Sequence, residues 1–171
     1  MQYMEKIDPS INKMDWGEGE WQHEPDKVQY LDEETGYPCL IVRAEVTGAL
    51  CGYVGVGHSH PCYQVHYNDV EDKYDTSIHG GLTFSSKCQE QNKEFGICHI
   101  VEDGEDDNIW WLGFDCAHAW DYAPVMQSRW IGTNLYKPQR PNDHEYRNIH
   151  YVKDQIKHLA IQLKKCEASY G

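Results

Sequence analysis

The sequence contains no CxxC pair, no HExxH, no GxxxxGKS/T and no run of the roughly 18 apolar residues that a membrane-crossing helix requires. Its opening residues, Met1-Gln-Tyr-Met-Glu-Lys6, lack the apolar stretch of a secretory signal. Positive charge is scarce: 15 Lys and Arg stand against 28 Asp and Glu, a formal net charge of −13. Such a chain repels phosphate backbones over most of its surface, which argues against tracking duplex nucleic acid through many cationic contacts. A small anionic or nucleotide-like ligand in a donor-rich pocket stays compatible with it. The seven cysteines are odd in number and scattered through apolar segments, a pattern that disfavours a disulfide framework. In a reducing cytosol most of them read as small buried hydrophobes, and the expectation is a cytoplasmic protein with no membrane partner.

What the chain does have is aromatic mass, with 6 Trp and 12 Tyr among a 40% hydrophobic share. At 171 residues it is expected to form a single domain, 1–171, of the α+β class. Residues 1–36 lack sustained periodicity and read as an irregular arm pinned by Trp16 and Trp21. Residues 37–122 carry the sheet, mainly antiparallel and about five-stranded. Cys39–Val46 and Leu50–Val56 form a hairpin, and Leu82–Ser85, Gly96–Val101 and Ile109–Phe114 supply the other strands. The stretch from Gly57 to Gly81 reads as a long surface loop, and the acidic tract 102–107 as the solvated tip of a hairpin. That tract lacks the spacing of an EF-hand calcium loop. Ile149, Val152, Ile156, Leu159, Ala160 and Leu163 recur at helical spacing, so residues 145–166 form an amphipathic C-terminal helix packed on the sheet.

Three islands combine glycine, histidine and acid residues at predicted strand ends: Gly57-His-Ser-His-Pro61, His79-Gly-Gly-Leu-Thr-Phe-Ser85 and Trp111-Leu-Gly-Phe-Asp-Cys-Ala-His-Ala-Trp-Asp121. In the third, an apolar strand runs directly into Asp115, Cys116, His118 and Asp121. Rigid strands deliver polar side chains to clefts in this way, and Trp111 and Trp120 are placed to wall this one. The spacing of Asp115, His118 and Asp121 by threes puts them on one side of a turn. With His79 they form the expected catalytic centre.

Two chemistries are open to that centre. One divalent metal, zinc or manganese, bound by His79, Asp115 and His118, would lower the pKa of a bound water, with Asp121 orienting a ligand. Without metal, His79 and His118 would act as acid and base. His58 and His60, at strand spacing, form a weaker candidate metal pair. Gly80 and Gly81 bring backbone N–H groups close to a ligand, and Thr83 and Ser85 would present hydroxyls to its oxygens. Cys116 as a nucleophile is disfavoured, because strand alternation turns it to the face opposite Asp115. His23, His144, His150 and His158 read as surface residues, and the sequence does not place Arg43, Arg129, Arg140 or Arg147 relative to the cleft.

The strings Cys51-Gly-Tyr-Val-Gly-Val56, His79-Gly-Gly-Leu-Thr-Phe-Ser85 and Trp110-Trp-Leu-Gly-Phe-Asp-Cys-Ala-His-Ala-Trp-Asp121, followed by Tyr146-x-x-x-x-Tyr-Val152, span most of the chain. They resemble a family of small uncharacterised phage and prophage proteins. Members of that family tend to carry glycine where this chain has Trp120. The resemblance implies an accessory protein acting in the host cytoplasm, and by analogy a protein that counters defence signalling by nucleotides. The expected function is a small hydrolase acting on a phosphate-containing or nucleotide-like molecule. A non-catalytic protein that sequesters such a signal is the alternative, with Trp110, Trp111, Trp120 or Tyr122 stacking a base. A third is an acidic decoy for a protein partner, working through Asp103 to Asp107. A homo-oligomer completing the site is compatible with each.

Overall fold

The apolar, β-branched segments Pro38–Arg43 and Leu50–Val56 form the middle of a six-stranded antiparallel sheet. The computed structural model describes residues 1–105, 107–130 and 145–169, and of residues 128–130 the backbone alone. The strands are β1 (Met4–Lys6), β2 (Lys27–Leu31), β3 (Pro38–Arg43), β4 (Leu50–Val56), β5 (Phe84–Lys87) and β6 (Trp110–Asp115), in the order β1-β2-β3-β4-β6-β5. Among the described residues three α-helices follow the same chain order: α1 (Tyr67–Tyr74), α2 (Pro124–Trp130) and α3 (Ile149–Ser169). The class is α+β, with the C-terminal helix packed against the sheet. Among the described residues no helix is long and apolar enough to cross a membrane.

Alternation decides which side chains meet α3. Leu50, Val54 and Val56 of β4, Cys39 and Ile41 of β3, and Leu112 and Phe114 of β6 share one core with Ile149, Val152, Ile156, Leu159 and Leu163. Each such side chain contributes about 1.5–3 kcal/mol on burial. Gly52 lets the helix down onto the sheet: a Cβ there would lie 2.6 Å from Phe114 and 2.9 Å from Ile156.

The opposite face, carrying Leu40, Cys51, Tyr53 and Trp111, is covered among the described residues by the chain around Ile97. Here the structure corrects the sequence reading. Residues 96–101 do not join the sheet as a strand, so the acidic tract does not cap a hairpin. The segment is held instead by side chains of β2. The Gln29 amide accepts from the Ile100 N–H at 2.7 Å and donates to the Ile100 carbonyl at 3.1 Å, standing in for a neighbouring strand. Lys27 donates to the carbonyls of Lys93 and Cys98 at 2.8 and 2.6 Å. A disulfide between Cys88 and Cys98 closes the same cover, against the expectation of no disulfide framework, while Cys39, Cys51, Cys62, Cys116 and Cys166 are free and buried as expected of most of the cysteines.

The amino-terminal residues form β1, β2 and two single 3-10 turns instead of an irregular arm. Trp21, 6% exposed, stacks on Tyr122 and meets Tyr146 edge-on. Arg43 and Asp26 form a fully buried ion pair at 2.7 Å, supported by Lys13 on the same carboxylate oxygen. The expected long loop after β4 contains α1. Arg140 and His144 lie outside the described residues, as does the side chain of Arg129.

Candidate functional site

Strand β6 ends at Asp115, and the chain then turns so that Asp121 N–H donates to the His118 carbonyl at 2.9 Å. This turn folds the Asp121 carboxylate back under its own loop. Its Oδ2 accepts from the His118 backbone N–H at 3.1 Å and lies 3.0 Å from His118 Nδ1 and 2.8 Å from His79 Nε2. Its Oδ1 accepts from Arg147 Nε at 3.1 Å. Asp121 is wholly buried. Burial alone would push its carboxyl up, but the hydrogen bonds from His79, His118 and Arg147, with the charge of His79, hold it below the ordinary carboxylate value.

Helix α3 supplies the other wall. Tyr151, in its first turn, places its hydroxyl 2.6 Å from His79 Nδ1, and Gln155, one turn on, accepts from the His79 backbone N–H at 2.9 Å. Gln162 continues the grip by bonding both backbone groups of Ser77. Residues four apart on a helix share a face, so Tyr151 and Gln155 clasp one loop together. The Tyr151 hydroxyl is shifted upward, chiefly by burial, and stays protonated. His79 is thus fixed at both ring nitrogens, its side chain 5% exposed.

His118 is fixed differently. Trp120, 45% exposed, stacks flat on its ring at 4.7 Å and 8°. Gly80, at φ +66°, passes beneath it so closely that a Cβ would fall 2.2 Å from Cε1 and Nε2 of the imidazole. Glycine at 80 therefore serves the His118 ring. Gly81 N–H is used by the Ile78 carbonyl, closing a turn, and so is not offered to a ligand.

The structure brings His79, His118 and Asp121 together, with one ligand atom from each lying within 4.8 Å of the others. Asp115 stands at the edge, Oδ1 3.9 Å from His118 Nδ1, accepting from the Thr83 hydroxyl and the Ala117 N–H. The inner carboxylate is thus Asp121, and the rim carboxylate is Asp115, reversing the roles read from the sequence. Trp111 is a correction: it is wholly buried on the face of the sheet away from α3, beside His99, and does not wall the cleft. Ser85 accepts from the Tyr67 N–H and so supports the start of α1. His60 is buried, with one ring nitrogen on the Cys62 N–H and the other at the Leu163 carbonyl; His58 is exposed, and neither joins the cluster. Cys116 lies in the α3 core, 1% exposed, its thiol pushed well up by burial and then by Asp121.

Arg147, Tyr151 and Gln155 are the site residues that the sequence reading did not assign. The one signal for the last two was their spacing of four on a recognisable helix. Two carboxylates, Asp121 and Glu145, bind the one guanidinium, since Arg147 also meets Glu145 at 3.1 Å, and Asp115 adds a third acid near His118. No family model, curated protein or solved structure matches the chain.

Proposed function

We propose that the protein hydrolyses a small phosphate-containing, nucleotide-like molecule at the centre formed by His79, His118 and Asp121. One observation carries this reading: a wholly buried carboxylate, Asp121 in the turn that follows β6, binds two imidazoles and a guanidinium. An apolar residue would fill that volume without desolvating a charge, so the arrangement is the kind kept for chemistry. Imidazoles and a carboxylate in contact supply proton transfer or a bound hydroxide, the two routes to hydrolysis. The half-exposed Trp120 offers a stacking surface for a base, and the hydrogen-bonded Thr83 and Asp115 stand at the His118 edge of the cluster. The resemblance to phage proteins adds a setting, in which the substrate is a host signalling nucleotide.

The test is incubation with a panel of cyclic and linear di- and trinucleotides and nucleoside phosphates, with products read by liquid chromatography and mass spectrometry. Wild type should release product, and His118→Asn should lose on the order of 100-fold or more in rate. The flat stacking of Trp120 on His118 also favours simple sequestration. Recovery of every panel member intact, with one of them tightly retained, would establish that alternative and overturn hydrolysis.

A further inference from the structure

We infer that His79, His118 and Asp121 form a binding site for one divalent transition-metal ion, zinc by donor type. The inference rests on the hydrolase reading for its purpose, though not for its geometry. Around a tetrahedral ion with bonds of about 2.0–2.1 Å, donor atoms lie about 3.3 Å apart. Here His79 Nε2 and His118 Nδ1 lie 2.8 and 3.0 Å from the same carboxylate oxygen. Those two edges need only a few tenths of an ångström of outward movement, and the third, between the two imidazole nitrogens, lies within 4.8 Å and closes toward about 3.3 Å in two-nitrogen, one-oxygen coordination. Imidazole and carboxylate donors suit zinc, and three protein ligands leave a position for water or substrate.

The second observation is that each donor group is steadied at a point away from the shared centre. Tyr151 holds His79 at Nδ1, the nitrogen opposite the proposed ligand atom. Arg147 holds Asp121 at Oδ1, the oxygen not shared with the imidazoles. Trp120 stacks on the His118 ring, and the bare backbone of Gly80 lies close against its Cε1–Nε2 edge. Metal-binding histidines and carboxylates are oriented by such outer partners, whose loss lowers affinity about 10–100-fold. Binding would also reverse one hydrogen bond. With the His79 proton on Nε2, Tyr151 donates to Nδ1; with a metal on Nε2, Nδ1 carries the proton and donates to Tyr151.

Charge supplies the reason for an ion. A phosphate arriving beside Asp115 meets three carboxylates and a guanidinium already bonded to two of them. A divalent cation reverses that repulsion and polarises the phosphoryl oxygen.

The test uses full-length protein purified without chelator or polyhistidine tag. Elemental analysis should find about one equivalent of zinc, manganese or iron in wild type and a small fraction of it in His79→Gln and Asp121→Asn. Metal-free wild type should gain roughly 5–10 °C in Tm at free zinc a hundredfold above Kd, and Tyr151→Phe should need about 10–100-fold more zinc for the same gain. Should the ligand variants fail to fold, cobalt(II) added to metal-free wild type decides, because a low-coordinate site gives strong visible absorption. Absence of retained metal, of a zinc-dependent Tm shift and of that spectrum overturns the inference, as does equal uptake by wild type and folded ligand variants. Product formation by chelator-treated protein would remove the ion from the reaction and keep the hydrolase; bound metal with an untouched panel would do the reverse.

Discussion

Replacing Gly80 with alanine tests how tightly the site is assembled, because Gly36 provides a matched control. Both glycines hold a positive φ, +66° and +77°, yet a Cβ at Gly36 meets nothing within 4 Å while one at Gly80 strikes the His118 ring at 2.2 Å. The left-handed backbone alone costs an L-residue about 1–2 kcal/mol, and that is the whole expected effect of Gly36→Ala. Gly80→Ala must in addition move the imidazole off Asp121 and Trp120. The lost charge-assisted hydrogen bond costs about 1.5–3 kcal/mol and the lost ring stacking about 0.5–1.5 kcal/mol. The excess over Gly36→Ala is therefore roughly 2–4 kcal/mol, or about 4–16 °C in Tm for a chain of this size. Repeating Gly80→Ala in a His118→Ala background closes a double-mutant cycle, where the penalty should shrink to the backbone cost of about 1–2 kcal/mol. Equal penalties in the two backgrounds, or a Gly80→Ala no worse than Gly36→Ala, would refute the claim that this glycine exists for the histidine.

Two further outcomes follow from burial. Cys116 should resist alkylation by iodoacetamide in native protein and label fully in urea, read by peptide mass mapping; native labelling would contradict its place in the α3 core. Lys27, 3% exposed, has its ammonium pulled down from 10.5 to about 8 by burial and by Lys6. Between those values the unfolded chain binds the extra proton, so this residue's contribution to stability rises with pH across that window and its penalty is complete below about 8. The difference in unfolding free energy between wild type and Lys27→Met, measured by urea titration from pH 7.5 to 10, should climb accordingly; a flat difference would rule this out.

The helix and the central strands were readable because their apolar residues repeat at one clear period. Val152, Ile156, Leu159 and Leu163 announce α3, and the runs in β3, β4 and β6 announce a sheet covered on both faces. Strand β2 was not readable, because Lys27 and Gln29 are polar residues buried in a core position and satisfied by backbone groups about seventy residues away. The same pairing explains the false strand at 96–101, where a β-like composition found a side-chain amide for a partner. At the site, the glycine–histidine and aspartate–histidine islands revealed His79, His118 and Asp121. Tyr151, Gln155 and Arg147 stayed hidden, since their role depends on where α3 docks. The tandem Trp110-Trp111 misled for a simple reason: neighbours on a strand point apart, sending Trp110 to the Val65 carbonyl and Trp111 into the far core.

The grip of α3 on the His79 loop also makes the centre a gauge of completeness. His79 is joined to Asp121 across 42 residues and to Tyr151 across 72, so no local segment contains the site. A growing chain possesses its sheet residues well before it possesses Tyr151 and Gln155, and contacts of such long range form late in folding. Any opening that lifts the first turns of α3 would dissolve the His79 anchor while leaving most sheet pairing in place. The lifetime of the working centre is then the residence time of one helix, and exchange of the amide protons near Val152 would time it.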